Sequence, residues 1–500
     1  MFSRKSRQQI ALCALGLLAV GCQSSNRWMA NRQESRSSKI DAVASDEGQL
    51  TTRLSAASEP VDEILLTGGE QLENQIEIAT PAQADGGASQ AEFDAGTPLT
   101  LATLEQLALE NNPAIRQASA SASKASGFRD QVGRYANPTI AYSGQQLADA
   151  GTDQHMMTLS QDIVTGDKLA LNQLVLNQSV QAQLWEVEAQ RYRVLTDVRT
   201  TYYEALAAQR RLALATEFQV VAAKGVRVAE SRKDALEGSQ PEVLQSEIQL
   251  QEVELQQQQA EFALHASWNE LTAIIGLPDL SQSGLQGELP TTAEPRDWES
   301  VYRQLESESP ELRAACSRVA RATANLRRQE AQVTPNLQLQ LGAGHDLGTN
   351  SDFAQLGVGM PVPIFNRNQG NISAAHAEYC RATQDYQRLR MSLKARLARA
   401  AQDHDSALVA VQRYEGQILP KAEQSLKLSE QAYSAAEFDF LQVLTARRIY
   451  FDSNLRAVDA RRQLAQATTK IDGLLLSGGL SDTIDTTEDD SLRGQALSGE

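Results

Sequence analysis

Long apolar runs are missing from this chain of 500 residues. No stretch of about 18 consecutive apolar side chains occurs, which excludes a bundle of membrane-spanning helices. Aromatic residues are 5% of the sequence and prolines number 14, little material for the compact mixed cores and tight turns of an α/β enzyme. Cysteine is confined to Cys13, Cys22, Cys316 and Cys380, too few for a disulfide scaffold. Basic charge is also short: the net charge is -17, and no basic stripe is available to neutralise phosphates, which excludes a nucleic-acid partner. Phosphate-cradling, zinc-protease and nucleophile-elbow motifs are absent. Ser121 and Lys124 match Ser-x-x-Lys inside an Ala/Ser helix with no Lys-Thr-Gly elsewhere, so no catalytic residue is assigned and no cofactor is expected. What is present is Ala, Gln, Leu, Arg and Glu, the composition of long helices and coiled coils.

The charge is unevenly spread. Residues 1–22 carry +3, residues 23–97 carry -8 and residues 479–500 carry -5, leaving -7 for 98–478. Arg4, Lys5 and Arg7 precede an apolar run from Ile10 to Val20 and a small Gly21, the order of an export signal. Leu18 to Cys22 is similar to a bacterial lipoprotein signal, so 1–22 reads as a lipoprotein-type signal whose Cys22 is expected to become the lipidated mature N-terminus. Residues 23–97 read as a disordered acidic tether and 479–500 as a disordered acidic tail. Cys316 and Cys380 are expected as buried or half-buried free thiols.

Self-comparison shows two related halves. Asn112-Pro113 and Ser309-Pro310 are 197 residues apart, as are Pro138 and Pro335; Glu242–Gln245 aligns with Gln442–Thr445 at 200. The chain therefore reads as a tandem repeat, 98–280 and 298–478, with a linker at 281–297. Each half begins with a short helix and a second helix opened by Pro113 or Pro310. The apolar period then changes to two, as in Leu337, Leu339 and Leu341 or Ile140 and Tyr142, predicting two strands per half. Long proline-poor helices follow, from about Asp167 to Glu237 and from about Asn368 to Ala436, with a kink expected at Pro420. Each is followed by a return helix whose apolar residues recur at sevens: Ile248, Leu255 and Phe262, then Leu444, Phe451, Val458 and Ala465. That spacing predicts coiled-coil seams.

Four strands with one apolar face cannot stand alone in hydrocarbon, because their edges stay unpaired. The expected solution is a homotrimer: three chains giving a 12-stranded transmembrane β-barrel, continued by a long α-helical coiled-coil barrel. The fold class is mainly α with a small β part.

Leu99–Pro113 (LTLATLEQLALENNP), Tyr433–Arg447 (YSAAEFDFLQVLTAR) and Met360–Gly370 (MPVPIFNRNQG) resemble the TolC family of outer-membrane efflux channels. The last stretch is similar to its heavy-metal branch. The resemblance implies the outer-membrane channel of a tripartite efflux system, lipid-anchored, with a periplasmic tunnel. It would conduct substrates, heavy-metal cations here, from a periplasmic adaptor and an inner-membrane pump of the RND type. The resemblance also places adaptor contacts at the helical turns: Leu236, Gly238, Pro241, Val243, Tyr433, Ala436, Phe438 and Leu441. Acidic Glu237, Glu242, Glu437 and Asp439 lie at the same turns, and threefold symmetry would make them a cation-preferring ring. A periplasmic coiled-coil scaffold or adaptor without membrane strands is the alternative. His376 and Cys380 stand four apart on one helix face, but two ligands alone read as coincidence, and His155-Met156-Met157 reads as a strand start, so no metal site is expected.

Overall fold

The computed structural model describes residues 99–147, 151–435, 439–482 and 485. The expected signal with Cys22, the tether, most of the acidic tail, and Ala436, Glu437 and Phe438 lie outside the described residues. Helix α1 (Leu101–Asn111) is capped by Thr100, whose hydroxyl accepts from the Thr103 N–H. Helix α2 (Pro113–Val132) opens on its proline, and the Asn112 side chain accepts from the Ala114 and Ile115 N–H groups. Strands β1 (Thr139–Gln145) and β2 (Gln154–Ile163) follow, then α3 (Lys168–Asp234) and α4 (Gln240–Ile275). The order is then α5 (Trp298–Glu308), α6 (Pro310–Ala331), β3 (Leu337–Asp346), β4 (Ser351–Gly359), α7 (Gln369–Arg413), α8 (Leu419–Ser434) and α9 (Phe440–Asp472). Helix–helix–strand–strand–long helix–return helix thus occurs twice in succession.

Helix α3, 67 residues, is about 100 Å long at 1.5 Å per residue. Its counterpart does not run straight through. Between α7 and α8 lies a π turn, Tyr414–Ile418, where the Leu419 N–H reaches the Tyr414 carbonyl five residues back. Pro420 falls second in α8. A proline has no N–H to donate and its ring crowds the preceding turn, so the wide turn is where the helix absorbs it.

The main core is a collar of Leu104, Ile115, Val198, Tyr202, Leu206, Trp268, Leu271, Ile275 and Leu289. The 281–297 segment is stitched into it: Leu99 and Leu285 form a parallel bridge, and the Tyr202 hydroxyl donates to the Gln286 carbonyl at 2.6 Å. A second cluster gathers Ala189, Leu305, Leu312, Leu393, Leu397, Leu474 and Leu476. Asn112 knots the first collar, its side-chain amide donating to the Ile274 carbonyl at 2.6 Å. Beside it Gly276 ends α4 at φ +87°, and a Cβ there would stand 2.7 Å from the Asn111 carbonyl oxygen. Gly276→Ala combines left-handed strain with a backbone clash, so it should cost roughly 1–3 kcal/mol. The check is a lower midpoint for heat-induced loss of helix, with Gly284→Ala, which meets nothing within 4 Å, as control.

Within one chain the expected sevenfold row is buried on one return helix and exposed on the other. Leu444, Phe451, Val458 and Ala465 are buried on α9. On α4 the buried heptad row is Ser246, Val253, Ala260 and Ser267, while Ile248, Leu255 and Phe262 are exposed, Phe262 to 71%. Close approach of α3 and α4 selects small side chains at their contact. The large apolar row, two positions along, is left on a face this chain does not cover.

Described residues at the start of the stretch read as the acidic tail bond to the helices. Gly478 and Gly479 donate their N–H groups to Asp197 at 3.0 and 2.6 Å, Gln190 donates to the Gly479 carbonyl, and Lys124 pairs with Asp485 at 2.9 Å. Cys316 and Cys380 are free thiols, Cys316 half-buried as expected but Cys380 exposed, on a face of α7 that the chain does not cover. Among the described residues, no helix is long and apolar enough to cross a membrane.

Candidate functional site

The strands form one antiparallel sheet in the order β1-β2-β3-β4, leaving β1 and β4 as open edges within the chain. Direct register aligns Ile140, Leu159, Leu341 and Leu356 in one row. The next row is Tyr142, Met157, Ala343 and Ala354. Ile140, Tyr142, Met157, Leu159, Leu341, Leu356 and Val358 are all exposed, so one face of the sheet carries an uncovered apolar band, bounded at its loop end by the polar row His155, His345 and Asp352. The other face carries Thr139, Ser143, Gln145, Ser160, Gln338, Gln340, Gly342, Gly344, Gln355 and Gly357, since successive side chains of a strand alternate. At Gly344 the strand needs the space: a Cβ would stand 2.6 Å from the Phe353 ring and 2.4 Å from the His155 carbonyl oxygen. β1 has 7 residues, shorter than expected, and β2, β3 and β4 have 9 or 10.

The sheet joins the helices through buried polar groups. Lys168 donates to Asn336 Oδ1 at 2.7 Å and Arg328 Nε donates to Asn172 Oδ1 at 2.9 Å. Burial, and then the Arg328 charge, lower the Lys168 pKa; burial lowers that of Arg328. This cluster had no sequence signal, because its members are brought together across 156 and 168 residues.

At the far end, α3 turns into α4. The Glu237 and Gly238 N–H groups both donate to the Arg232 carbonyl, and Leu236 takes φ +62°, 94% exposed. Pro241 stands in the first turn of α4, where its missing N–H costs nothing. Val243 is buried with Ala229, Phe440 and Leu444, and Tyr433 packs against them. Leu441 is exposed.

Arg232 binds the two hairpin ends together and was missed by sequence reasoning. Its guanidinium donates to the Tyr433 hydroxyl at 2.8 Å and to the Glu237 carbonyl at 3.1 Å, lies 5.3 Å from the Tyr433 ring centre, and stands 3.9 Å from Glu242. Nothing local marks it, since Tyr433 is 201 residues away. The acidic residues divide accordingly. Glu237 is exposed, whereas Glu242 is engaged by Arg232 and by the Ser239 hydroxyl at 3.0 Å. Asp439 caps α9 by accepting from the Phe440 N–H at 2.8 Å. Farther along, Arg462 pairs with Glu204 at 2.7 Å, Arg211 with Asp459, and Arg447 with Glu430 at 2.8 Å, tying α9 to α3 and α8. Among the described residues, no three His, Cys, Asp or Glu side chains converge as a metal set.

The profile of the family described as "Outer membrane efflux protein" matches residues 104–277 and 301–475. The cobalt-zinc-cadmium resistance protein CzcC of Cupriavidus metallidurans is 29% identical over 282 residues, 56% of this chain and 67% of that one. Among solved structures, the outer membrane protein VceC of Vibrio cholerae superposes with a TM-score of 0.64 at 19% identity, over 76% of this chain and 96% of that one. CusC, whose structures are described in terms of transmembrane channel formation, superposes with a TM-score of 0.60 at 18% identity, over 77% and 94%.

Proposed function

Because the chain belongs to the outer membrane efflux protein family, we propose that it is the outer-membrane channel of a tripartite efflux system. Three copies would supply four strands each to a 12-stranded barrel, with the helices continuing it as a periplasmic tunnel. The observation that carries this reading is the sheet: apolar and exposed on one face, polar on the other, with both edges open. Hydrocarbon tolerates such a sheet only when its edges are closed, and closure by symmetry gives each edge a partner while turning the polar face toward a water-filled lumen. A periplasmic scaffold would have no use for that apolar face. Transport through such a pore is passive, with no catalytic step.

The two successive matches to the family profile support the reading of 98–280 and 298–478 as efflux repeats joined by 281–297. The exposed row Ile248, Leu255 and Phe262 is the contact with the next protomer. Aspartate at all three positions should leave the purified protein monomeric in detergent; an undisturbed trimer would remove this row from the interface.

The tip is the docking end for a periplasmic adaptor, itself served by an RND-type pump, through Leu236, Gly238, Pro241, Val243, Tyr433, Ala436, Phe438 and Leu441. Leu236 is the most exposed described anchor. Glu237, multiplied by three, is the described carboxylate with most freedom to bias the pore toward cations, with Glu437 beside it in sequence; Glu242 and Asp439 act in holding the tip together. Cys22 carries the lipid anchor, so Cys22→Ala should lose fatty-acid labelling.

The cargo is divalent heavy-metal cations, a reading supported by the similarity to CzcC. Deletion of the gene should sensitise cells to cobalt, zinc or cadmium, and plasmid-borne protein should restore growth. Unchanged metal tolerance together with new sensitivity to organic toxicants would overturn the cargo while keeping the channel.

A further inference from the structure

The two body thiols differ in kind. Cys316 is partly buried, hydrogen-bonded to Tyr386, and held in its protonated form because burial raises its pKa. Cys380 is exposed on α7, one turn beyond His376, and its Sγ lies 3.9 Å from His376 Nδ1. Residues four apart on a helix share a face, so sequence spacing alone carries little weight. The donor separation carries more.

A metal ion bonded to imidazole nitrogen at about 2.1 Å and to thiolate sulfur at about 2.3 Å reaches both donors at any separation below about 4.4 Å. The observed separation corresponds to an angle at the metal of roughly 125°, and a tetrahedral angle needs about 3.6 Å. A few tenths of an ångström of side-chain rotation makes up that difference, with no movement of the helix. The neighbouring carboxylate does not compete for the pair: Glu378 is held by Arg381 through two bonds of 2.7 and 2.6 Å. His376 and Cys380 are both exposed, so the pair is open to solvent.

We infer that His376 and Cys380 form a two-donor surface site for a soft or borderline divalent metal ion of the Zn2+ and Cd2+ class. Thiolate with imidazole selects such ions over Mg2+ or Ca2+. Binding displaces the Cys380 thiol proton to solvent and forms the metal–sulfur and metal–nitrogen bonds, with water filling the remaining positions. The inference is argued from these two donors alone, so its failure would leave the proposed function untouched.

The test is a Cd2+ titration of the purified full chain in detergent, followed by the ultraviolet thiolate-to-metal charge-transfer band. The wild-type band should saturate at one ion per chain. Cys380→Ser should abolish it, Cys316→Ser should leave it intact, and His376→Ala should weaken binding on the order of 100-fold, the loss expected when chelation falls to a single donor. Far-ultraviolet dichroism and oligomeric state, unchanged in these variants, separate loss of binding from loss of fold. A wild-type protein without the band, a band surviving in Cys380→Ser, or equal affinity in His376→Ala would each overturn the site.

Discussion

An arginine at Leu341 should abolish the heat-stable trimer in the outer membrane, while an arginine at the adjacent Gln340 should leave it assembled. Leu341 is the third member of the row Ile140, Leu159, Leu341 and Leu356, whose side chains are exposed together on the apolar face. Gln340 lies on the same strand one residue away and points to the opposite, polar face. On a lipid-facing barrel surface, arginine costs about 2–4 kcal/mol near the bilayer midplane and much less near the interfaces. In the proposed trimer that cost falls three times on one assembly. On a lumen-facing position the same charge remains in water. The readout is the unheated mobility of the outer-membrane fraction on denaturing gels. Equal behaviour of the two variants would mean that the sheet does not separate lipid from lumen.

Arg232→Ala should loosen the periplasmic tip and raise single-channel conductance. Arg232 is the one described side chain that bonds the first hairpin turn, through the Glu237 carbonyl, and also the second hairpin, through the Tyr433 hydroxyl. A hydrogen bond made by a charged group contributes about 1.5–3 kcal/mol when sheltered; Arg232 is partly exposed, so the lower end of that range applies. Tyr433→Phe keeps the ring under the guanidinium and removes only the hydroxyl acceptor, so its effect should be smaller and in the same direction. Combined, the two substitutions should be non-additive, with a coupling of about 1 kcal/mol. Additive effects would show that Arg232 stabilises α3 alone and does not join the hairpins.

The fold was legible wherever it is encoded locally. Pro113 and Pro310 sit in first helical turns, the period of two at Leu337–Leu341 became β3, and Pro420 found its disruption in the π turn just before it. On α4 the sequence did not reveal that the contact within the chain is a different row from the largest apolar residues. Helix packing at close range prefers Ser246, Val253, Ala260 and Ser267, and the size of Ile248, Leu255 and Phe262 serves a face that a single chain leaves open. The tip positions were legible as turns, but their division of labour was not. Glu237 and Glu242 look alike in sequence, and only the placement of Arg232 and Ser239 makes one free and the other engaged. The Lys168–Asn336 and Arg328–Asn172 bonds were equally hidden, since each joins residues more than 150 positions apart.

The channel claim is tested most directly by reconstituting the purified protein in a planar lipid bilayer. Discrete, ohmic conductance steps are expected, of one size per inserted trimer and larger in Arg232→Ala. A protein that washes from membranes in carbonate and leaves the bilayer electrically silent would contradict the account.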